Sequence, residues 1–477
     1  MQTHFPPDDG SGLVLEPFRG VRYARTGADG LANVTSPPYD VIGPGTLERL
    51  LAASPYNIVR LILPGPGSAS PEAQSPENPR RGGARAAGEI AAARLRAWLA
   101  DGVLAPDDQP ALYIYEQRGP GLVQRGLIGL VRVGTPAIHP HEDVMPGPVA
   151  GRRELMAVTR SNLEPILLVY NGGTGAGGHG SAAGPSGATH DASTALAASA
   201  SEATRLVNQT ADEAAPIACT VTEDGVSHRL WALTDPADHA MIAADLADRT
   251  ALIADGHHRY AAYGELREET RGQGFGDGPW DLGLAFLVDA DAYPLSLGPI
   301  HRVLPHLDPV TAARLAARAF TVVSLPAPGR NEDGQAAAEL LADAMQRLAG
   351  AGRDGTAFLL AGRNGFWLLS RPDQDEVSAA MPARASRRWR ALDASVLQEL
   401  LLARLWSVRD NERDVLISHD AVEALLLADR TGGTAVLCNP MDLASVRELA
   451  AHGERVPRKS TSFGPKPRTG LVLRTFD

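Results

Sequence analysis

The sequence predicts a mixed α/β fold, built from short apolar strands and longer amphipathic helices. Residues 251–254 form an apolar run typical of a buried strand, and residues 257–271 repeat apolar and charged side chains at helical spacing. Residues 111–115 and 124–133 have the composition of two strands joined as a β-hairpin. The presence of these patterns in one chain indicates the mixed α/β class.

The other elements follow along the chain in the same mixed order. Residues 54–63 are predicted to form a turn that leads into a strand, and residues 306–350 to be helical with a break near 326–334. Composition predicts a mobile loop at 64–84 and a flexible Gly/Ala/Ser-rich insertion at 171–201. Further predicted elements are the helices 46–53, 86–99, 151–160, 238–246, 394–405 and 443–451, the strands 283–289 and 434–438, the turn and strand 162–170, and the hairpins 218–222 with 227–234 and 358–361 with 365–370.

Composition and charge narrow the possible function classes. The chain has 477 residues, 44% of them apolar, which is enough for large cores in two or three domains. Its 45 basic and 56 acidic residues give a net charge of −11, which argues against non-specific binding to nucleic acid or to an anionic membrane. Cys219 and Cys438 lack metal or redox spacing, and no apolar run approaches the roughly 20 residues of a membrane helix. The N-terminus lacks a signal-peptide pattern, so we expect a cytoplasmic protein.

The stretch Asp255-Gly256-His257-His258-Arg259 is the first candidate site. A strand, a glycine turn and a helix in succession place free backbone N–H groups and the positive end of a helix dipole at one point, which suits phosphate. Gly256, His257, His258 and Arg259 are therefore predicted phosphate-binding residues, and Asp255 a helix cap or Mg²⁺ ligand. The alternative is an ordinary helix cap with one histidine packed against the sheet.

A second candidate is the polar stretch His139-Pro-His141-Glu142-Asp143. Glu142 is the candidate general base, and His139, His141 and Asp143 are candidates to orient it or to bind a metal ion. The alternative is a polar loop that faces solvent.

Other polar residues next to prolines or apolar runs are predicted to bind substrate. Tyr39 and Asp40 follow two prolines that stiffen their loop, and His301-Arg302 follow another proline. The predicted substrate-binding residues are Tyr39, Asp40, Asn57, Arg60, His301 and Arg302.

The C-terminal tail adds two hydroxyls between two lysines. Lys459, Ser460, Thr461 and Lys466 lie in a proline-containing stretch whose chemistry suits phosphate oxygens. A structural clamp at the end of the chain is the alternative.

Several stretches together resemble a bacterial and archaeal family known as domain of unknown function 1015. The residues that match the family are Pro17-Phe-Arg-Gly, Pro37-Pro-Tyr-Asp-Val, Pro140-His-Glu, Asn162-Leu-Glu-Pro, Ile253-Ala-Asp-Gly-His-His-Arg, His301-Arg302, Lys459-Ser-Thr and Pro465-Lys466. They extend from near residue 15 almost to the end of the chain. Val456, Arg458 and Ser462 depart from the usual family pattern, and so does the Gly-rich insertion.

A more distant resemblance concerns chemistry. Pro140-His-Glu142 followed by Asp255–Arg259 resembles the motif pair of free-serine kinases in the ParB-like superfamily. The resemblance implies Glu142 as the base for a serine hydroxyl and the Asp255–Arg259 turn as the holder of nucleotide phosphates. It also implies a ParB/serine-kinase-like central unit at 136–305, with α/β elaborations at 13–135 and 306–477.

These arguments predict an enzyme that transfers a phosphoryl group from a nucleotide to a small hydroxyl compound, with free L-serine as the best guess. Glu142, His141 and Asp255 are the predicted catalytic residues, and Mg²⁺ with ATP or ADP the predicted cofactors. One alternative is a nucleotide-binding switch of ParB-like type without a small acceptor. Another is a metal-dependent hydrolase that uses His139, His141, Glu142 and the His257–His258 pair.

Overall fold

The computed structural model describes residues 12–24, 28–65, 81–173, 201–327, 334–363, 365–411 and 413–476. Most of the predicted insertion at 171–201 and of the predicted loop at 64–84 lies outside these residues. The chain divides into two compact units, the first made of Met1–Pro140, Val144–Leu295 and Pro465–Asp477, the second of His141–Asp143 and Ser296–Gly464. Mixed sheets and helices confirm the predicted α/β class. The three predicted regions 13–135, 136–305 and 306–477 stay a prediction.

In the first unit, nine strands of the described chain form one mixed sheet. Eight follow the order Ile138–His139, Ala251–Asp255, Ile166–Tyr170, Leu282–Asp289, Leu122–Arg132, Leu112–Gly119, Ser227–Leu233 and Ala218–Val221, and Leu15–Glu16 pairs with Leu122–Arg132. Ala251–Asp255 and Ile166–Tyr170 are buried along their full length, because their apolar runs lie in the interior of the sheet. The predicted strand at 251–254 is confirmed. The predicted hairpins 111–115 with 124–133 and 218–222 with 227–234 are confirmed as well.

Helices and two small strand pairs complete the first unit. The helices are Ala28–Val34, Pro44–Ala53, Val59–Ile62, Arg81–Ala100, Pro146–Thr159, Glu202–Glu213, Pro236–Leu246 and His257–Gly272, with 3₁₀ turns at Tyr39–Val41 and Pro279–Asp281. Val21–Tyr23 pairs with Leu104–Pro106, and Ser161–Asn162 with Arg474–Thr475. The strand expected within 54–63 is wrong. Asn57 Oδ1 accepts the N–H of Val59 at 2.9 Å, and the short apolar run continues as the helix Val59–Ile62.

The second unit is built on a six-stranded antiparallel sheet in the described chain. Its order is Thr321–Leu325, Gly365–Ser370, Ala357–Gly362, Thr434–Cys438, His301–Leu304 and Leu416–Ser418. Phe358 and Leu360 face one apolar core, whereas Leu359 and Ala361 face another, so both faces of this sheet are covered. The prediction that residues 306–350 contain only helix and one break is wrong. The strand Thr321–Leu325 forms within this range and pairs with Gly365–Ser370.

The helices of the second unit are Pro309–Ala316, Gly334–Asp354, Gln374–Ala380, Arg387–Arg390, Asp393–Ser395, the π-helical stretch Val396–Leu405, Ala421–Thr431 and Leu443–Ala451. Ser296–Gly298 pairs with Ser462–Gly464. No helix in the described part of the chain is both long enough and apolar enough to cross a membrane.

Candidate functional site

The predicted phosphate turn forms at the end of an interior strand of the first unit. Gly256 follows the strand Ala251–Asp255 and has a φ of 95°, in the left-handed region that favours glycine. A Cβ at this position would lie 2.9 Å from Ile166 Cγ2 and 3.1 Å from Arg259 Nε, so only glycine fits. The 16-residue helix His257–Gly272 begins directly afterwards, and its N-cap residue, Gly256, has no side chain with which to cap the first turn. The first backbone N–H groups of a helix have no acceptor within the helix itself.

Arg259 is buried beside this turn, with 3% of its surface exposed. Its Nη1 donates to the carbonyl of Pro165 and its Nη2 to Asp255 Oδ2. Its Nε has no hydrogen-bond partner among the described residues. Burial lowers the pKa of Arg259, but the nearby carboxylates, Asp255 first, outweigh this effect and raise the pKa above its usual value.

Lys466 brings a third stretch of sequence to the same turn. Its Nζ lies 2.6 Å from Asp255 Oδ1 and 2.7 Å from Asp40 Oδ2. Burial lowers the pKa of Lys466, but Asp255 and Asp40 together raise it. We call Asp40, Asp255, Arg259 and Lys466 the turn network. All four were predicted as site residues, and the structure brings them together as two acidic side chains that form ion pairs with two basic side chains.

Two residues that the sequence argument missed adjoin the turn network. Glu164 Oε1 accepts the backbone N–H of Tyr39 at 3.0 Å, and the guanidinium of Arg152 lies 4.2 Å from the centre of the Tyr39 ring. Burial raises the pKa of Glu164, against the opposing effects of Arg259 and Arg152. Glu164 belongs to the Asn-Leu-Glu-Pro motif, so a charged residue just before a proline and a buried strand was the available signal.

The two histidines of the turn have different environments. His257 is the first residue of the helix His257–Gly272. His258 Nε2 accepts the backbone N–H of Met145 at 3.1 Å, which holds the start of the helix Pro146–Thr159. Accepting at Nε2 places the proton of a neutral ring on Nδ1.

Glu142 lies in the second unit and is held mainly by backbone and hydroxyl donors. Its Oε1 accepts the backbone N–H of Lys459 at 2.7 Å, and its Oε2 accepts the hydroxyl of Thr461 at 3.4 Å. Burial is the largest influence and raises the pKa of Glu142, while Lys459, Arg302 and Thr461 oppose it. The side chain is therefore a half-buried carboxylate with increased affinity for a proton, as a general base requires.

The neighbours of Glu142 in the sequence point to different partners. His141 is fully buried, its Nε2 lies 2.8 Å from Thr461 Oγ1, and its ring contacts that of Phe463. Asp143 forms an exposed ion pair with Arg455 at 2.5 Å. His141 thus contacts Thr461, which also contacts Glu142, whereas Asp143 pairs with a different residue of the second unit.

Arg302 and His301 fix the tail segment and the sheet of the second unit. Arg302 Nη2 donates to the carbonyls of Lys459 at 2.8 Å and Arg458 at 3.3 Å. His301 Nδ1 accepts the backbone N–H of Cys438 at 3.1 Å, and burial lowers the pKa of His301 to about 4. Both side chains bond with backbone, and their predicted contact with substrate stays a prediction.

A family model described as "Protein of unknown function (DUF1015)" matches residues 15–176 and 190–395. The chain belongs to this family. The matched ranges include Glu142 and the turn Asp255–Arg259 and end before the tail Lys459–Lys466.

Comparison of this DUF1015 member with curated proteins gave no significant match. Among solved structures, a free serine kinase in complex with AMP is 13% identical, with 71% of this chain and 87% of that chain covered and a TM-score of 0.31. A conserved hypothetical protein from Pyrococcus furiosus is 13% identical, with 73% and 95% covered and a TM-score of 0.33. SbnI from Staphylococcus aureus, truncated at its C-terminus, is 11% identical, with 73% and 87% covered and a TM-score of 0.33. These similarities are too weak to assign a function.

Three other residues singled out in the sequence have contacts of their own in the first unit. Asn57 donates to the carbonyls of Asn33 and Thr35, and Arg60 to those of Leu51 and Ser54. These bonds satisfy loop backbone, and the predicted role of both residues in substrate binding stays a prediction. His139, half-buried in the first unit, ends the strand Ile138–His139.

Asp255 was the predicted Mg²⁺ ligand of this family member. Its Oδ1 contacts Lys466 and its Oδ2 contacts Arg259, so both oxygens already face cations. Across the described ranges, no group of three or more His, Cys, Asp or Glu side chains is arranged to hold a metal ion. The arrangement of Asp255 does not fit a bound metal ion.

Proposed function

We propose that this protein is a phosphotransferase that moves a phosphoryl group from ATP or ADP to the hydroxyl of a small molecule. The resemblance of the Pro140-His-Glu and Asp255–Arg259 motifs to those of free-serine kinases makes L-serine the first acceptor to test. Glu142 is the proposed base, and the turn at Gly256 the proposed phosphate-binding element.

The observation on which the proposal rests is the state of Glu142. A half-buried carboxylate with a raised pKa, next to hydroxyl and N–H donors, binds a proton more readily than a fully exposed carboxylate does. In the proposed reaction Glu142 takes the proton of the acceptor hydroxyl as the hydroxyl oxygen attacks the terminal phosphorus. A positioned base of this kind contributes about 10²–10⁴ in rate.

The turn at Gly256 supports the nucleotide part of the proposal. The helix start after Gly256 and the Nε of Arg259, which has no hydrogen-bond partner among the described residues, supply donors for phosphate oxygens. The turn is then supported chiefly by Arg259, Lys466 and Asp255, which form ion pairs with one another and hold it rigidly.

Phosphorus NMR of the purified full-length protein tests the proposal. Separate tubes contain Mg²⁺ with ATP or ADP, each with and without L-serine. We expect a new phosphomonoester signal that requires serine, and we expect Glu142→Gln to reduce its rate by about 10²–10⁴-fold while nucleotide affinity is kept. A Glu142→Gln protein that turns over at the wild-type rate would show that the base assignment is wrong.

Glu164→Gln is the matched control for that experiment. Glu164 is a buried glutamate whose pKa, like that of Glu142, is raised by burial, so the substitution makes the same chemical change at a residue outside the proposed chemistry. We expect it to retain far more turnover than Glu142→Gln. Loss of turnover in Glu164→Gln alone would transfer the role of base to Glu164.

One observation favours a second candidate, a nucleotide-binding switch. Because every charged group of the turn network is paired within the network, a phosphate that recruits Lys466 or Arg259 must separate them from Asp255 or Asp40. Nucleotide binding would then change the local structure. Tight nucleotide binding in the NMR samples, without phosphate transfer to any acceptor, would favour the switch.

A further inference from the structure

The segment Pro457–Thr461, which we call the tail loop, is held in one conformation by its own unit. Arg302 is buried and donates to the carbonyls of Lys459 and Arg458, and the hydroxyl of Ser460 donates to the carbonyl of Pro457. Lys459 has a φ of 56°, in the left-handed region that residues other than glycine rarely adopt. A non-glycine residue persists in this conformation only where surrounding contacts impose it. The tail loop is therefore preorganised.

This conformation places the hydroxyl of Thr461 next to two groups that can accept its proton. Thr461 Oγ1 lies 2.8 Å from His141 Nε2 and 3.4 Å from Glu142 Oε2. A hydroxyl within hydrogen-bond reach of an imidazole and a carboxylate is the usual arrangement of an activated oxygen nucleophile. Thr461 also contacts Glu142 as an acceptor hydroxyl would contact its base.

The adjacent hydroxyl of Ser460 lacks this environment. Its proton points to the carbonyl of Pro457, which cannot act as a base, and the residue is 7% exposed. Thr461 is partly accessible. The difference between neighbouring hydroxyls selects Thr461 as the reactive one.

We infer that Thr461 is a site of self-phosphorylation, an inference that rests on the proposed use of a nucleotide phosphoryl donor. Thr461 Oγ1 attacks the terminal phosphorus of a nucleoside di- or triphosphate and forms a new P–O bond. The bond between that phosphorus and its bridging oxygen breaks, and the nucleotide leaves with one phosphate fewer. The hydroxyl proton passes to Glu142 or His141.

The added phosphate would change the charge beside the base. Phosphothreonine carries about −1.5 to −2 charges at neutral pH and offers three strong acceptor oxygens. Such a charge next to Glu142 disfavours its ionised form and attracts the cationic groups of Lys459 and Arg302. We therefore expect the phosphorylated protein to transfer phosphate to L-serine more slowly than the unmodified protein.

The experiment uses the full-length protein and a nucleotide labelled on its terminal phosphate, in the presence of Mg²⁺ and without a small acceptor. Labelled protein is acid-treated, digested and mapped by mass spectrometry, because phosphothreonine survives acid whereas phosphohistidine does not. We expect label on Thr461 in the wild type, none there in Thr461→Val, and phosphoserine in Thr461→Ser. The serine variant shows that the loop still folds without the threonine methyl group.

Ser462→Ala is the matched control, because Ser462 is the next hydroxyl along the chain and pairs through its backbone with Gly298. It should be labelled on Thr461 as strongly as the wild type. Glu142→Gln should lose most of the label.

The outcomes separate this inference from the proposed function. Wild-type protein that phosphorylates a small acceptor but carries no phosphate on Thr461 overturns the inference and leaves the proposed function intact. Absence of both products overturns both. Label on Thr461 that depends on Glu142 supports the inference whether or not L-serine is the true acceptor.

Discussion

The turn network of the first unit and the surroundings of Glu142 in the second unit hold their carboxylates through different kinds of partner. Asp255 contacts a cation through each of its oxygens, from Lys466 and from Arg259. Glu142 accepts its hydrogen bonds from a backbone N–H and a hydroxyl, and burial raises its pKa. The first arrangement pairs a carboxylate with two cations, and the second raises the affinity of a carboxylate for a proton.

This difference separates the structural role of the turn network from the proposed catalytic role of Glu142. Within the turn network two acids and two bases balance one another, and the pKa values of Lys466 and Arg259 rise because of their carboxylate neighbours. Such a network of paired charges supports the turn at Gly256. Glu142 instead changes its proton occupancy more easily, which is the property that a base needs.

The largest expected effect comes from breaking the balance of the turn network. Asp255→Asn leaves the buried cations of Lys466 and Arg259 without one of their anions, so we expect a loss of about 3–5 kcal/mol in the free energy of unfolding. Urea unfolding followed by circular dichroism measures the loss.

The control for Asp255→Asn is Glu223→Gln. Glu223 pairs with Arg49 at 3.4 Å, but its side chain is 93% exposed, so its removal should cost at most about 1 kcal/mol. Equal losses in the two variants would show that the turn network contributes no more than a surface ion pair does.

Much of this comparison could be predicted from sequence, because it depends on local pattern. The apolar run before Asp255, the glycine and the helical spacing after it specified the strand, the turn and the helix as observed. The chemistry of single residues also selected Asp40, Arg259 and Lys466, although they come from three distant stretches.

The pairing of those residues could not be predicted, because tertiary contacts decide it. Lys466 was expected to bind phosphate, yet its ammonium lies between two aspartates. Glu164 was overlooked because an acidic residue before a proline is also typical of a surface turn. The helix Val59–Ile62 and the strand Thr321–Leu325 were missed because runs this short fit either structure.

The next largest effect is a loss in the free energy of unfolding at acid pH. It can be tested in the same way at one histidine of each unit. Burial lowers the pKa of His301 in the second unit and of His228 in the first unit from 6.5 to about 4. Between these pH values the unfolded chain binds a proton that the folded chain does not, so stability falls as the pH falls from about 6.5 towards 4. Each histidine contributes a loss of about 3 kcal/mol across this window.

Urea unfolding of His301→Gln and His228→Gln across the same pH range checks this expectation. Each variant lacks the titrating group and should lose less stability than the wild type on acidification. Asp420 near His301 and Asp224 near His228 oppose the effect of burial, so a much weaker pH dependence at one histidine would show that its carboxylate dominates.

The smallest expected change in stability is that of Glu142→Gln, the variant with the largest expected effect on turnover. The folded protein raises the pKa of Glu142 above the ordinary 4.5, so the folded chain binds the extra proton and stability falls as the pH rises through this range. Glutamine keeps an acceptor for the N–H of Lys459 and removes the cost of burying a charge. At neutral pH we expect no change in the free energy of unfolding or a gain of about 1 kcal/mol, comparable to one net hydrogen bond. A loss as large as that of Asp255→Asn would instead place Glu142 in a structural network like the turn network, and slow turnover of the variant would then no longer identify the base.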